Sequence, residues 1–210
     1  MPQKGFDILA EIAGDIVREG GQIAMLGLGD HDTEYMMSRL ARSYYGQIAL
    51  LIGFNEPMAR RILAASDFFL IPSRFEPCGL TQMQAQRYGA LPVAHATGGL
   101  ADTIEGGVTG FLFSEFSGRA LRAACRRAFG AYADPPTLDR MRRAAMARRF
   151  SWAEAAEAYE KLYDRLLGRP AIIRSRAISR AVPRKTALRE KDELRATGRV
   201  NLAVPALRRG

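Results

Sequence analysis

Short apolar runs alternate with longer stretches of helical spacing along the first 168 residues, and this alternation restricts the chain more than any other feature. Strand, crossover helix and strand in repetition build a parallel sheet with helices on both faces. Ile8, Leu9, Ile12, Ile16 and Val17 make one face of a first helix. Gln22–Leu26 reads as a strand ending at Gly27-Leu28-Gly29-Asp30, and a helix follows over 32–44. Ile48–Ile52 is the next strand, Glu56–Ala65 a helix, Asp67–Ile71 a strand, and Leu91–Ala94 a strand after one more helix. The expected fold class is α/β, a single doubly wound parallel sheet. Such sheets bind ligands at the carboxyl ends of their strands, where the loops at 27–30, 72–80 and 98–99 would meet.

The most specific stretch on that edge is Arg74-Phe75-Glu76-Pro77-Cys78-Gly79-Leu80-Thr81-Gln82. It lies between the apolar run Phe68–Pro72 and a partly helical spacing of Leu80, Met83 and Tyr88. A helix entrance carries unpaired N–H groups that favour a phosphate. Glu76 would repel that phosphate unless it accepts hydrogen bonds from hydroxyls of the same ligand, so a sugar joined to a diphosphate suits both features. Blander readings exist for each residue. Glu76 would pair with Arg74, Thr81 or Gln82 would cap the helix, and Gly98-Gly99 would be a hinge. Gly27-x-Gly29 lacks a third glycine and is weak alone.

Composition is that of one α/β domain, with 48% hydrophobic and 25% charged residues among 210. The net charge of +9 lies in the tail. Residues 169–210 carry 12 Lys plus Arg against 3 Asp plus Glu, leaving 19 of each in the rest. That tail lacks a sustained apolar period and is read as a disordered extension, ahead of an RNA-binding or membrane-surface arm. No apolar run of about 18 residues is present to span a bilayer. The first residues are not those of a signal peptide, so the cytoplasm is expected. Cys78 and Cys125 form no disulfide framework, and His31 and His95 suggest no metal site.

The R-F-E-P-C-G-L-T-Q run, followed by Thr97-Gly98-Gly99-Leu100-Ala101-Asp102-Thr103, resembles bacterial glycogen synthases and plant starch synthases. The resemblance runs from Gln3-Lys4-Gly5 through Gly27-Leu28-Gly29-Asp30 and Ser151-Trp152 to about Leu167. It covers the second half of that family's protein, the nucleotide-sugar lobe of a two-lobed GT-B glycosyltransferase with Rossmann-like lobes. It implies residues 1–168 as that lobe, closed by a final helix over 151–167, with 169–210 outside it.

The resemblance also implies retaining transfer of glucose from ADP-glucose to the non-reducing 4-hydroxyl of an α-1,4-glucan, without cofactor or metal. By this analogy Glu76 holds the sugar hydroxyls, and backbone groups around Cys78, Gly79 and Leu80 contact sugar and phosphate. Lys4 and Thr81 bind the diphosphate, and Gly98-Gly99 line the donor. The family's arginine that precedes Lys4 is absent from this sequence, as is the first lobe's K-T-G-G-L motif. The expected partners are ADP-glucose, the glucan and a first lobe supplied separately or by a longer chain; no membrane or nucleic acid is expected. The alternative is a non-catalytic nucleotide-sugar or glucan-binding remnant. The stripe of Trp152, Ala156, Tyr159 and Tyr163 reads as core, or as a face that the first lobe would cover.

Overall fold

The computed structural model describes residues 2–168 and 200–204. A 3-10 turn at Pro2–Lys4 leads into eight α-helices and six β-strands among the described residues. They run α1 (Phe6–Arg18), β1 (Gly21–Gly27), α2 (His31–Ser43), β2 (Ile48–Ile52), α3 (Glu56–Ala65), β3 (Phe68–Ile71) and α4 (Thr81–Arg87). Then follow β4 (Leu91–His95), α5 (Gly98–Thr103), β5 (Phe111–Phe113), α6 (Gly118–Tyr132), α7 (Pro135–Ala147), α8 (Trp152–Leu166) and β6 (Val200–Val204). The strand and helix boundaries expected from the sequence are met within a residue or so up to β4.

Among the described residues all strand pairings are parallel, in the order β2-β1-β6-β3-β4-β5. Side chains of a strand alternate between faces, and here both faces are covered. Phe68 and Leu70 enter the core beneath α1, α2 and α6, whereas Phe69 and Ile71 enter a second core beneath α3, α4 and α5. Local signals start the helices. The Asp30 carboxylate accepts from Thr33 N at 3.0 Å to cap α2, Asn55 accepts from Met58 N at 2.9 Å for α3, and Ser117 accepts from Ala120 N at 3.2 Å for α6.

Strand β6 departs from the expected disordered tail. Residues 169–199 and 205–210 lie outside the described residues, but 200–204 occupy the middle of the sheet. Leu202 and Val204 enter the first core and Ala203 the second, so the segment repeats the alternation of β3. Asp67 clamps it from both sides of one residue. Its N–H donates to Asn201 O at 2.8 Å, and its carboxylate accepts from Asn201 N at 3.0 Å. The same carboxylate accepts from Arg142 of α7 at 2.5 Å, with the arginine side chain fully buried.

Helix α8 stands apart from both cores. Trp152 is 89% exposed, and Tyr159 and Tyr163 are also exposed, so the aromatic stripe is an open face rather than a core face. Among the described residues no helix is long and apolar enough to cross a membrane.

Candidate functional site

The site forms where three loops meet at the carboxyl ends of β3, β4 and the N-terminal turn. Gly5 brings the turn in. It has φ of 71°, and a Cβ there would sit 1.9 Å from Pro72 O, so only glycine allows this approach. Arg74 N donates to Gln3 O at 2.8 Å, which fastens the turn to the loop after β3. Lys4 is thereby held over the motif, and its Nζ donates to Glu76 Oε2 at 2.6 Å. The two side chains are 21% and 14% exposed, so the charges face the edge without being sealed from water.

The pairing of Glu76 with Arg74 is corrected by this geometry. Arg74 instead bonds the Asp7 carboxylate at 2.7 Å and lies over the Phe116 ring at 4.0 Å. The Ser73 hydroxyl stands 3.4 Å from Glu76 Oε2 as a second neighbour. His95 at the end of β4 faces two carbonyls, with Nδ1 2.9 Å from Ser73 O and Nε2 3.2 Å from Ser114 O. Carbonyls only accept, so a neutral ring satisfies one of them and a protonated ring both. The histidine therefore belongs to the framework of the edge.

The diglycine packs against the motif from the other side. Gly98 has φ of 44°, and a Cβ there would sit 2.3 Å from Glu76 O. At Gly99 a Cβ would sit 2.0 Å from Cys78 O, and Gly99 N donates to Glu76 O at 3.0 Å. The hinge reading misses this contact, because both glycines are required by the close approach of two backbones. Cys78 and Leu80 are exposed, and Gly79 and Thr81 are half-buried. Among the described residues the amides of Cys78, Gly79 and Leu80 donate to no protein acceptor. All eight expected site residues thus lie on the two loops, the short α4 and α5 entrances, and the turn that joins them. Thr81 makes no cap, since α4 begins without a side-chain cap bond.

Two residues missed as site residues also stand here. Gln82, considered only as a cap, is fully buried and donates to both Cys78 O and Gly79 O. Thr103 closes the contact from α5, its Oγ1 3.1 Å from Gln82 Nε2, while donating to Gly99 O within the helix at 2.5 Å. The Gly27 loop offers less than its glycines suggest, because Gly29 N is taken by Glu34 Oε1 at 2.8 Å. A groove of about 890 Å³ opens elsewhere, between β1, β2 and α3, and holds none of the motif residues. Among the described residues no cluster of three His, Cys, Asp or Glu is placed to hold a metal ion.

A cation, a carboxylate and three amides without protein acceptors thus gather at the carboxyl edge of a parallel doubly wound sheet, the edge where such sheets bind ligands. Residues 1–130 match the family described as "Glycosyl transferases group 1", and the chain belongs to that family. It is 53% identical over 163 residues to the glycogen synthase of Xanthomonas campestris pv. campestris (strain 8004), covering 78% of this chain and 34% of that protein. It is 53% identical over 167 residues to the glycogen synthase of Pseudomonas fluorescens (strain Pf0-1), covering 80% and 34%. The chain therefore spans about a third of the length of the relatives it matches. Among solved structures, the catalytic domain of starch synthase IV from Arabidopsis thaliana, bound to ADP and acarbose, superposes with a TM-score of 0.71 at 33% identity. That match covers 80% of this chain and 37% of the other. Sucrose-phosphate synthase from Thermosynechococcus elongatus shares the fold, with a TM-score of 0.63 at 24% identity over 80% of this chain and 43% of that one.

Proposed function

We propose that this chain is the donor-binding lobe of a retaining glucosyltransferase that moves glucose from ADP-glucose to the non-reducing end of an α-1,4-glucan. The observation that carries the reading is Lys4 against Glu76 at 2.6 Å, at the junction of the motif and diglycine loops. A sugar diphosphate has a group for each partner. Its phosphates replace Glu76 as the neighbour of Lys4, and its sugar hydroxyls donate to the released carboxylate. The open amides of Cys78, Gly79 and Leu80, with the Thr81 hydroxyl, add donors for negative charge that grows on the departing diphosphate. Fixed donors aimed at developing charge supply much of the barrier lowering in such transfers. Gly98 and Gly99 let α5 meet the motif loop backbone to backbone, which fixes the loop that holds the donor. The diphosphate charge is met in this reading by protein groups alone, so chelators leave donor binding unchanged.

The names of the relatives support glucan synthesis, and the ADP in the starch synthase structure supports the adenine nucleotide. The glucan acceptor and a complementary lobe complete the reading, since the chain covers about a third of those proteins. Transfer of labelled glucose from ADP-glucose to glycogen tests it, with Glu76→Ala and UDP-glucose run beside the wild type and donor binding followed by calorimetry. Transfer abolished by Glu76→Ala establishes the synthase. Binding of ADP-glucose without transfer by a folded chain assigns the second reading, a donor-binding lobe that is inactive alone. Absence of both refutes the proposal.

A further inference from the structure

Gln82 is a buried amide at the second position of α4, with no exposed surface. Its Nε2 lies 3.0 Å from Cys78 O, 2.8 Å from Gly79 O and 3.1 Å from Thr103 Oγ1. Both carbonyls accept only, which fixes the amide nitrogen on their side. The remaining oxygen, Oε1, is buried without a hydrogen-bond partner among the described residues. An unpaired buried carbonyl is unfavourable, and a methionine of similar length would fill the space without one. The donors of Gln82, rather than its volume, account for the residue.

The bonds continue into a ring. Thr103 Oγ1 donates to Gly99 O at 2.5 Å, and Gly99 N donates to Glu76 O at 3.0 Å. Gln86, one turn beyond Gln82, donates to Thr103 O at 3.1 Å and holds the far side. In a trans peptide the carbonyl and the following N–H point in opposite directions. Drawing Cys78 O and Gly79 O inward to Gln82 therefore turns the N–H groups of Gly79 and Leu80 outward, toward the edge that carries Lys4 and Glu76. We propose that Gln82 and Thr103 are the positioning pair of the donor site: they hold two successive peptide planes so that both amides face the ligand, and they lock the motif loop to the diglycine helix.

The proposal rests on the donor-binding reading for its ligand but not for its geometry. Gln82→Met, Thr103→Val and Thr103→Ser are compared with wild type by ADP-glucose calorimetry, urea unfolding and amide hydrogen exchange at Gly99. Gln82→Met is expected to keep the urea midpoint, to bind ADP-glucose at least tenfold more weakly, and to exchange the Gly99 amide at least tenfold faster. Thr103→Val should weaken binding severalfold, and Thr103→Ser, which keeps the hydroxyl, should restore it. Wild-type affinity in a folded Gln82→Met overturns the proposal, as does weakened binding that only follows a lowered urea midpoint. If the wild type binds no ADP-glucose, the functional reading fails by itself. The ring is then judged by exchange, and an unaccelerated Gly99 amide in Gln82→Met overturns it.

Discussion

Strands β3 and β6 are neighbours in the sheet, parallel and buried on both faces, yet one is obvious in the sequence and the other hidden. Phe68-Phe69-Leu70-Ile71 is unbroken and bulky. Val200-Asn201-Leu202-Ala203-Val204 carries a polar residue and an alanine, and it follows a long basic stretch. The difference teaches that a central strand does not need a strong hydrophobic run of its own. Its backbone groups are satisfied by a neighbour on each side, and a small residue suffices where a helix packs closely on that face. The apolar content that supports β6 is supplied by Ile23 on one side and Phe68 on the other, both in register with Leu202.

Leu202→Asp is the most direct way to break this equivalence. It places an unpaired carboxylate inside the first core and is expected to cost about 5 kcal/mol or more, enough to unfold a domain of ordinary stability. Leu70→Asp should do the same, read by urea titration with circular dichroism. If Leu202→Asp leaves the midpoint unchanged while Leu70→Asp lowers it, β6 is not an integral strand. Asp67→Ala tests the clamp shared by the two strands. It leaves Arg142 buried without this carboxylate and frees the Asn201 amide, an expected loss of about 3–5 kcal/mol in denaturant unfolding.

Gly99→Ala sharpens the comparison, because it acts beyond the ends of β3 and β4 and leaves β6 alone. The clash with Cys78 O is expected to cost about 1–3 kcal/mol and to abolish measurable ADP-glucose binding. The smallest effect concerns thiols. Burial pushes the Cys125 thiol up to about 12, with Glu19 adding to the rise and Arg127 opposing it. Cys125 shares the core of Leu202. A thiol reagent at pH 8 should therefore label Cys78 in the native protein, and both cysteines once β6 is displaced. The unfolded chain releases the Cys125 proton from about pH 9, where the folded chain still holds it. This contribution to stability is complete below pH 9 and declines as pH rises toward 12.

Much of the fold was legible because volume and periodicity agree along residues 6–95, where apolar runs and helical spacings alternate without ambiguity. The site was legible as a set of residues, since the E-P-C-G run and the diglycine stand on one edge of such a sheet. Their contacts were not. Nothing local tells that Glu76 faces Lys4 rather than Arg74, because that choice depends on Gly5 meeting Pro72, a contact between distant segments. Gln82 was overlooked for a similar reason: an amide at a helix entrance suggests a cap, and its use as a donor to the preceding loop appears only when the loop is folded back. Strand β6 was lost in the composition of its surroundings, since a charge count over residues 169–210 averages away five residues of alternating burial.

The position of β6 also has a temporal meaning. Asn201 meets Asp67 across 134 residues of chain. At ribosomal speeds of about 5–20 residues per second, about 7 to 27 seconds separate the synthesis of these partners. Until then β1 and β3 lack the partner that each has in the finished sheet. The strand that completes the centre of the sheet is therefore the last of the six to be synthesised.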